Sequence, residues 1–230
     1  MASLTIENYV KSIYVICNEN RGLAATGKVA EYLGVSPSTV TSMLKTLKDS
    51  GLAEYRPYEG VELTEAGRTL ALRVLRRHRL IELFLVRTLN LSWDEVHDEA
   101  ENMEHAVSDY LIDRIDEFLG HPASDPHGDP IPAADGTICT TDLRNLADWP
   151  LDTPFQLVRV LDQAPQFLRY LSDSGLALGA TGTIAATVHE AGVLDITLDV
   201  SSSEQVTKTT LACEAATKLL VQQPESSDGK

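Results

Sequence analysis

The most constraining feature of this sequence is a pair of short helices joined by a tight turn, predicted between residues 26 and 51. Thr26 can cap the first helix, and Gly34 is well suited to end it. Ser36, followed at once by Pro37, marks the start of the second helix, which Gly51 ends. The apolar residues of the two helices recur at helical spacing: Val29, Ala30, Leu33, Val40, Leu44 and Leu47. This pattern predicts a helix-turn-helix.

A wing is predicted directly after the second helix. The segment LAEYRPYEGVELT (52–64) contains two short β-like runs on either side of Pro57 to Gly60. A further helix is expected ahead of the motif, over 4–18, because its apolar residues also follow helical spacing. Residues 1–70 are therefore expected to form a winged helix-turn-helix domain.

Two long helices are predicted next, and their apolar faces are wider than the small N-terminal domain needs to cover. The first opens at Thr64 and runs to about residue 90. The second begins at Ser92, with Glu95 at the capping-box position, and continues to about Leu119. We expect the surplus apolar surface to form a homodimer interface in a helical domain over 71–140. A monomeric helix bundle is the alternative.

The remainder of the chain predicts a small β-barrel over 156–223, so the fold class is mainly α with a small β domain. Six prolines fall within 120–155, which indicates an ordered loop or a linker, expected at 141–155. Four runs are typical of strands: 157–162, 181–190, 193–200 and 216–223. Residues 164–174 predict one short helix, and the tail over 224–230 is expected to be disordered.

Charge is unevenly distributed along the chain, whose formal net charge is −15. Residues 1–80 hold 11 Lys and Arg against 8 Asp and Glu, whereas the rest hold 8 against 26. A mildly basic N-terminal module can bind DNA phosphates while the acidic remainder opposes indiscriminate binding. The three cysteines form no CxxC pair, which argues against a zinc finger or a disulfide framework. With no secretory signal and no long apolar stretch, the protein is expected in the cytoplasm, with no membrane association.

The second helix of the motif presents a hydroxyl-rich face that suits double-stranded DNA. Short hydroxyl side chains allow close approach to the groove, and cations lie at its flanks. Few of these residues make strong base-reading pairs, so DNA shape and methyl contacts are expected to carry much of the specificity. An ordinary solvated polar face is the alternative. The residues expected to contact DNA are Ser36, Ser38, Thr39, Thr41, Ser42, Lys45, Lys48 and Arg56.

The segment WDEVHDEAENMEH (93–105) and the helix before it carry a pattern typical of a metal site. Nitrogen and oxygen donors stack at a spacing of four residues, His78 and Glu82 on one helix and His97, Glu101 and His105 on the next, with Glu104 beside them. Burying so many carboxylates without a cation would be costly. Carboxylate and imidazole donors without thiolate favour Mn2+, with Fe2+ next. Exposed polar residues are the alternative. His121, His127 and His189 have no such spacing and are interpreted as ordinary loop or surface residues.

Taken together, these residues resemble the diphtheria toxin repressor and manganese transport regulator family. The resemblance is carried by Glu7-Asn8-Tyr9, VSPSTVTSMLKTLKDSGL (35–52), RRHRLIELFL (76–85), VHDEAENMEH (96–105) and DPHGDPIP (125–132). It implies a metal-activated dimer that represses metal-uptake genes. The C-terminal part is similar in pattern to the family's SH3-like (FeoA-type) barrel.

By position, the resemblance implies two metal sites. The primary site would use Asn8, Glu101, Glu104 and His105. The second would use His78, Glu82 and His97, with a ligand lent by the barrel, Asp162 first and Gln166 next. Iron-responsive members have Met and Cys at the positions of Asn8 and Glu101, so this chain is expected to favour Mn2+ over Fe2+.

Two departures from the family bear on these sites. Asn8 stands where manganese members usually have Asp, and an amide oxygen binds a metal without adding charge. Lys11 stands where some members have a carboxylate, which argues against a compact pair of metals.

Metal bound between the first helix and the dimer helix is expected to fix the spacing of the two DNA-binding domains.

Two other functions stay open at this point. A winged-helix regulator could sense a small organic ligand between the long helices. A carboxylate-bridged di-iron enzyme needs two Glu-x-x-His motifs, and Glu101-x-x-Glu104-His105 has the wrong spacing to its histidine. We therefore expect a regulator and not an enzyme.

Overall fold

The computed structural model describes residues 3–139, 141–199 and 206–224, which divide into two compact units. The N-terminal unit comprises Met1–Ile81, Glu101–Ile115 and Ile131–Ile138, and the C-terminal unit comprises Glu82–Ala100, Asp116–Pro130 and Cys139–Lys230. The predicted tail lies outside the described residues from position 225 onward. Within the described ranges, no helix is long and apolar enough to cross a membrane.

The predicted winged helix-turn-helix is present in the N-terminal unit. Its elements are α1 (Leu4–Asn20), α2 (Thr26–Leu33), α3 (Pro37–Asp49), β1 (Ala53–Arg56) and β2 (Gly60–Leu63). Ser36 caps α3, because its hydroxyl oxygen accepts the Thr39 N–H at 3.2 Å. Gly34 ends α2 in the left-handed region, with φ of 63°. The prediction that Thr26 caps α2 is wrong, since Thr26 is the first helical residue and Ala25 at the N-cap offers no side-chain acceptor.

The wing is a two-stranded antiparallel hairpin, with Ala53 opposite Leu63 and Arg56 opposite Gly60. Reciprocal backbone hydrogen bonds between Ala24 and Val61 attach it to the segment before α2. Under it lies one apolar cluster, to which α1, α2, α3 and the wing all contribute: Tyr9, Val10, Ile13, Val29, Val40, Leu44, Leu47, Tyr55 and Val61. Burial of these side chains fixes α3 against the wing, with its polar face outward.

The first long helix is confirmed as α4 (Glu65–Leu89), but the second is divided into α5 (Val96–Met103) and α6 (Asp109–Leu119). The prediction of one helix over 92–119 is therefore wrong. The chain turns after Met103, whose carbonyl accepts the N–H groups of both Ala106 and Val107. Ser108 then starts α6, its hydroxyl accepting the Leu111 N–H at 3.3 Å. The turn over 104–108 places Glu104 and His105 outside regular helix.

The C-terminal unit contains an antiparallel sheet of six strands among its described residues, in the order β3-β8-β4-β5-β6-β7. The strands are β3 (Arg144–Asn145), β4 (Phe155–Val160), β5 (Thr181–Val188), β6 (Val193–Asp199), β7 (Val206–Ala212) and β8 (Leu219–Gln222). The helices α7 (Pro165–Asp173) and α8 (Cys213–Ala216) accompany them. Its buried cluster includes Phe155, Leu168 and Ile196. This sheet is the SH3-like domain expected from the sequence.

Gly67 provides a test of packing in the N-terminal unit. A Cβ added at Gly67 in α4 would lie 1.9 Å from the carbonyl oxygen of Leu52, a backbone atom that cannot easily move. Gly67→Ala is therefore expected to lower the free energy of unfolding by about 1–3 kcal/mol. Gly27→Ala in α2 is the matched control, because nothing lies within 4 Å of the added Cβ. It is expected to be neutral or slightly stabilising. Urea unfolding curves measure both, and a Gly67→Ala protein as stable as wild type would contradict the close approach.

Candidate metal centres

Three elements of the N-terminal unit bring charged side chains together around Lys11 of α1. The Lys11 Nζ lies 2.5 Å from Glu101 Oε1 and 2.9 and 3.0 Å from the two carboxylate oxygens of Glu104. It also lies 3.3 Å from His78 Nδ1 of α4. Lys11 and His78 are each 5% exposed and Glu104 is fully buried, whereas Glu101 is half-buried. We call these four residues the Lys11 cluster.

Glu104 is the most buried acid of the Lys11 cluster. Burial alone would raise the pKa of its carboxyl, but His78, whose Nδ1 is 2.7 Å from Glu104 Oε2, and the ammonium of Lys11 hold that pKa below its usual value. The carboxylate therefore stays ionised, which is the protonation state that metal binding requires.

Two buried atoms of predicted ligands in the N-terminal unit have no hydrogen-bond partner, namely Asn8 Oδ1 and His105 Nε2. His105 Nε2 lies 3.2 Å from Glu104 Oε1. Its other ring nitrogen, Nδ1, lies 2.7 Å from Glu7 Oε2, and Glu7 lies 3.9 Å from the buried Arg77. A histidine that donates from Nδ1 to a carboxylate keeps its Nε2 lone pair for a metal, as metal-bound histidines do. Buried polar atoms without partners require an explanation, and a divalent ion supplies one.

The ligands predicted for the primary site all belong to the N-terminal unit: Asn8, Glu101, Glu104 and His105. Glu104 approaches His105, and Lys11 joins Glu101 to Glu104. His78, which the resemblance assigned to the second site, contacts Glu104 here. The donor set of carboxylates, amide oxygen and imidazole fits a divalent ion such as Mn2+.

The C-terminal unit contains a second group, formed by Glu82, Asp125 and His127, which we call the His127 cluster. One ligand atom from each residue lies within 4.8 Å of the others, and all three residues are buried. His127 Nε2 lies 2.7 Å from the carbonyl oxygen of Trp93, so this nitrogen donates. His127 Nδ1, 3.7 Å from Glu82 Oε2, is buried and has no hydrogen-bond partner. An imidazole so oriented presents Nδ1 to a cation between the carboxylates.

The proline-bearing loop after α6 fixes His127 in place. Asp125 Oδ1 accepts the N–H groups of His127 and Asp129 at 2.8 and 2.9 Å. The His127 carbonyl accepts the Val160 N–H of β4 at 2.9 Å. Gly128 is in the left-handed region, with φ of 86°, and a Cβ there would lie 2.0 Å from the Val158 carbonyl oxygen. The loop is therefore docked on β4 and holds His127 rigidly.

Sequence reasoning missed two members of the His127 cluster, Asp125 and His127. The interpretation of His127 as an ordinary loop or surface residue is wrong, because the residue is fully buried. The signal that could have found it is DPHGDPIP, in which prolines stiffen a loop that carries an acid two residues before a histidine. Glu82 was predicted, and His97 Nδ1 lies 3.3 Å from Glu82 Oε1 as expected for partners.

Asp162 and Gln166, the two barrel residues predicted as metal ligands, do not lie in the His127 cluster. Asp162 accepts the Lys218 ammonium at 2.8 Å and the Ala164 N–H at 3.0 Å. Gln166 is exposed on α7. Among the described residues, neither belongs to the His127 cluster.

The residues predicted to contact DNA line the outer face of α3 and the wing. Seven of the eight are exposed and Thr41 is half-buried; the exposed ones are Ser36, Ser38, Thr39, Ser42, Lys45, Lys48 and Arg56. A cleft of about 520 Å³ separates α3 from the wing, lined by Thr41, Lys45 and Tyr58 among others. Arg56 is exposed but lies 3.5–3.9 Å from the carboxylates of three glutamates, Glu54, Glu59 and Glu62. Its charge is thus largely balanced within the wing, which leaves the lysines of α3 as the main cations of this face.

Comparison with known proteins places these features in a family. Residues 1–61 match the iron-dependent repressor N-terminal DNA-binding domain, and residues 64–133 match the iron-dependent repressor metal-binding and dimerisation domain. The diphtheria toxin repressor of Corynebacterium glutamicum is 32% identical over 88% of this chain and 91% of its own length. The chain belongs to the iron-dependent repressor family.

Two further transcriptional regulators are similar to this chain. The HTH-type transcriptional regulator MntR of Geobacillus kaustophilus is 35% identical over 52% of this chain and 83% of its own length. A solved structure described as a manganese-dependent transcriptional repressor in complex with manganese is 38% identical, with a TM-score of 0.86. The alignment covers 95% of this chain and 100% of that chain.

The family domains divide the residues around the proposed primary site between two parts of the repressor. Glu7, Asn8 and Lys11 lie in the DNA-binding domain, whereas the other members of both clusters lie in the metal-binding and dimerisation domain. The repressor is a homodimer, and α6 exposes Tyr110, Leu111 and Phe118, which suits a dimer contact. A metal bound at the primary site would therefore join the two functional domains.

The electrostatics of the His127 cluster give a pH prediction for the metal-free repressor. Burial alone would lower the pKa of His127, but the carboxylates of Glu82 and Asp125 raise it above its ordinary value. The stabilisation from protonated His127 is fully present below the ordinary histidine pKa and is lost as the pH rises through the raised one. NMR titration of metal-free protein is expected to show this raised value, and Glu82→Gln is expected to lower it. Glu190→Gln, an exposed acid of the same unit, is the control. A His127 pKa that Glu82→Gln leaves unchanged would contradict the assignment.

Proposed function

We propose that this repressor responds to Mn2+, binds double-stranded operator DNA when the metal is bound, and represses metal-uptake genes in the cytoplasm. The observation that carries the proposal is the buried His105 Nε2, which has no hydrogen-bond partner and lies 3.2 Å from the ionised carboxylate of Glu104. Asn8 Oδ1, on α1, is also buried without a partner. The absence of thiolate from both clusters favours Mn2+ over softer ions. The similarity to a manganese-dependent repressor solved with manganese supports the same choice.

The primary site is proposed to use Asn8, Glu104 and His105, with Glu101 at its exposed side. Bound there, a divalent ion supplies positive charge to a pocket that already contains buried carboxylate. Glu7 orients the His105 ring from its Nδ1 side. Arg77, 2.7 Å from Asp109 and 3.9 Å from Glu7, restrains Glu7 in turn. These contacts pre-organise the imidazole, which reduces the entropy lost when a ligand binds.

A second site is proposed at the His127 cluster. Glu82, Asp125 and His127 offer three buried ligands, and His97 approaches Glu82 from α5. The resemblance adds Asp162 and Gln166 as barrel ligands, and Asp162 would first have to leave Lys218. The ligands of the second site lie partly on the loop that is hydrogen-bonded to β4. We therefore propose that a metal bound there has a structural role and helps to hold this loop on β4.

The switch is proposed to act through α1. Asn8 and Glu7 lie on α1 of the DNA-binding domain, whereas Glu104 and His105 follow α5 of the dimerisation domain. A shared set of ligands fixes α1 relative to the dimer helices, so the two α3 helices hold one spacing. Matching half-sites lie about one helical turn of DNA apart, roughly 34–36 Å, or a multiple of it. Metal therefore favours the DNA-competent arrangement by differential affinity.

The proposed domains follow the sequence expectation: a winged helix-turn-helix over 1–70, a helical metal-binding and dimerisation domain over 71–140, a linker over 141–155 and the SH3-like domain over 156–223. Part of the linker, β3, pairs with β8 in the sheet of the SH3-like domain. The DNA contacts are proposed at the hydroxyl face of α3, with Lys45 and Lys48 on phosphates. Fe2+ is the second candidate metal, because the family models are those of iron-dependent repressors.

Operator binding tests the proposal most simply. A duplex selected from random DNA by the Mn2+-loaded protein serves as the operator, with fluorescence anisotropy as the readout. Mn2+ is expected to raise the affinity by about 5–150-fold over chelator, the range of typical allosteric coupling. Parallel isotherms with Fe2+ and Zn2+ rank the metals. His105→Ala is expected to remove the dependence on Mn2+, because it deletes the unpartnered Nε2.

Two further variants make this experiment specific. His189→Ala removes an exposed histidine and is expected to behave as wild type. Asp125→Asn keeps an oxygen for the loop N–H groups but reduces the charge of the His127 cluster, and it is expected to weaken only the second site. Full Mn2+ dependence in folded His105→Ala would refute the primary site, and activation by Fe2+ alone would replace Mn2+ with iron.

A further inference from the structure

We infer that Tyr58, at the tip of the wing, is the residue through which the wing contacts operator DNA, and that the arginine of the wing, Arg56, does not make this contact. The contact of Tyr58 goes beyond the proposed function, which places the DNA contacts on α3. It does not depend on which metal activates the repressor.

Tyr58 has a backbone conformation that its side chain disfavours. The Glu59 N–H donates to the Arg56 carbonyl at 3.1 Å and closes the turn between β1 and β2. Pro57 and Tyr58 are the two central residues of this turn, and the φ of Tyr58 is 70°, in the left-handed region. Gly or Asn is the usual residue at such a turn position, because a larger side chain crowds the backbone there. Strained residues of this kind cluster at sites of binding.

The fold of the wing does not account for this strain, because the Tyr58 side chain is fully exposed. Tyr55, three residues earlier, is buried in the apolar cluster under the wing, which explains its presence in β1. An exposed tyrosine at a strained position is suited to an interface, where both its apolar ring and its hydroxyl can be used. The ring of Tyr58 therefore needs a partner from outside the wing.

The surroundings of Tyr58 indicate that this partner is DNA. Tyr58 lines the cleft of about 520 Å³ between α3 and the wing, together with Thr41 and Lys45 of α3. Lys45 is exposed and makes no ion pair with another described residue, so its ammonium is available to a phosphate. A duplex whose groove receives α3 brings its backbone to this cleft. There the Tyr58 ring meets deoxyribose, and its hydroxyl can donate to a phosphate oxygen.

Arg56 is held away from such a contact by the wing itself. Its guanidinium lies 3.5–3.9 Å from the carboxylates of Glu54, Glu59 and Glu62. Glu54 and Glu62 stand directly opposite each other in the hairpin, a pairing of like charges that the guanidinium relieves. Transfer of Arg56 to a phosphate would leave this pair uncompensated beside the DNA. With one cation and three anions, the wing gains little from phosphate, and the uncharged Tyr58 remains as its contact.

Tyr58→Gly tests the inference, because glycine removes the ring and readily adopts a positive φ. The urea midpoint of unfolding is expected to stay at the wild-type value or to rise, since the strain is relieved. Operator affinity is measured by anisotropy with the Mn2+-loaded protein and the selected duplex. It is expected to fall about tenfold, as for the loss of one good contact. Tyr170→Ala removes an exposed tyrosine of α7 and is expected to bind DNA as wild type does.

Hydroxyl-radical footprinting separates a DNA contact from a structural effect. Tyr58→Gly is expected to lose the protection of one group of deoxyriboses in each half-site and to keep the protection due to α3. Salt titration tests the part played by charge. Lys45→Gln is expected to reduce the slope of log affinity against log salt by about 1, as for one lost phosphate contact. The double variant Arg56→Gln/Glu59→Gln keeps the net charge of the wing and is expected to match wild type in affinity and in slope.

Three results would overturn the inference. The first is an operator affinity of Tyr58→Gly within about twofold of wild type, or an unchanged footprint. The second is a lower urea midpoint of Tyr58→Gly, because Tyr58 would then serve the fold. The third is a smaller salt slope in Arg56→Gln/Glu59→Gln, which would return the contact to Arg56. Failure of the proposed function would instead appear as wild-type DNA binding that ignores Mn2+, and the comparison of Tyr58→Gly with wild type decides the inference in that case too.

Discussion

The burial of one carboxylate, Glu104, is the constraint on which the N-terminal unit depends. Its side chain is fully buried, and an isolated ionised carboxylate cannot stay charged in such surroundings. Lys11, His78 and His105 come from three separate segments to compensate it. A buried charge thus draws together α1, α4 and the segment after α5. In the proposed function, a divalent ion adds further positive charge beside the same carboxylate.

The His127 cluster solves a similar problem by rigid backbone. Glu82 is 1% exposed and Asp125 4% exposed. The His127 imidazole donates a hydrogen bond from Nε2 to the Trp93 carbonyl, and its loop is hydrogen-bonded to β4. The proposed primary site draws its ligands from both the DNA-binding and the dimerisation domain. In the His127 cluster, Asp125 and His127 lie in a loop that is hydrogen-bonded to β4. This contrast is the physical basis for assigning the switch to the former.

Much of this could be predicted from local sequence. Ser36 and Pro37 mark the start of α3 by capping chemistry that acts within four residues, and Gly34 ends α2 by backbone conformation alone. The spacing of Glu101, Glu104 and His105 likewise indicated a site, because near neighbours in sequence remain neighbours in space.

The failures that concern the site come mainly from contact between residues far apart in sequence. His127 looked like a surface residue because its burial depends on β4 and on Glu82, neither of which is near it in sequence. Helical spacing continues through 104–108, so the break that positions Glu104 was missed, although Ser108 carries a capping signal. The ammonium of Lys11 meets acids some ninety residues away, and no local pattern shows where it points.

Anomalous diffraction at the manganese absorption edge, from crystals of the repressor grown with Mn2+, tests the central claim most directly. The account predicts a peak bonded to Asn8 Oδ1, Glu104 and His105 Nε2, with the Lys11 ammonium still on Glu101. A peak in place of the Lys11 ammonium, or no peak near His105 while the metal is bound elsewhere in the N-terminal unit, would contradict it.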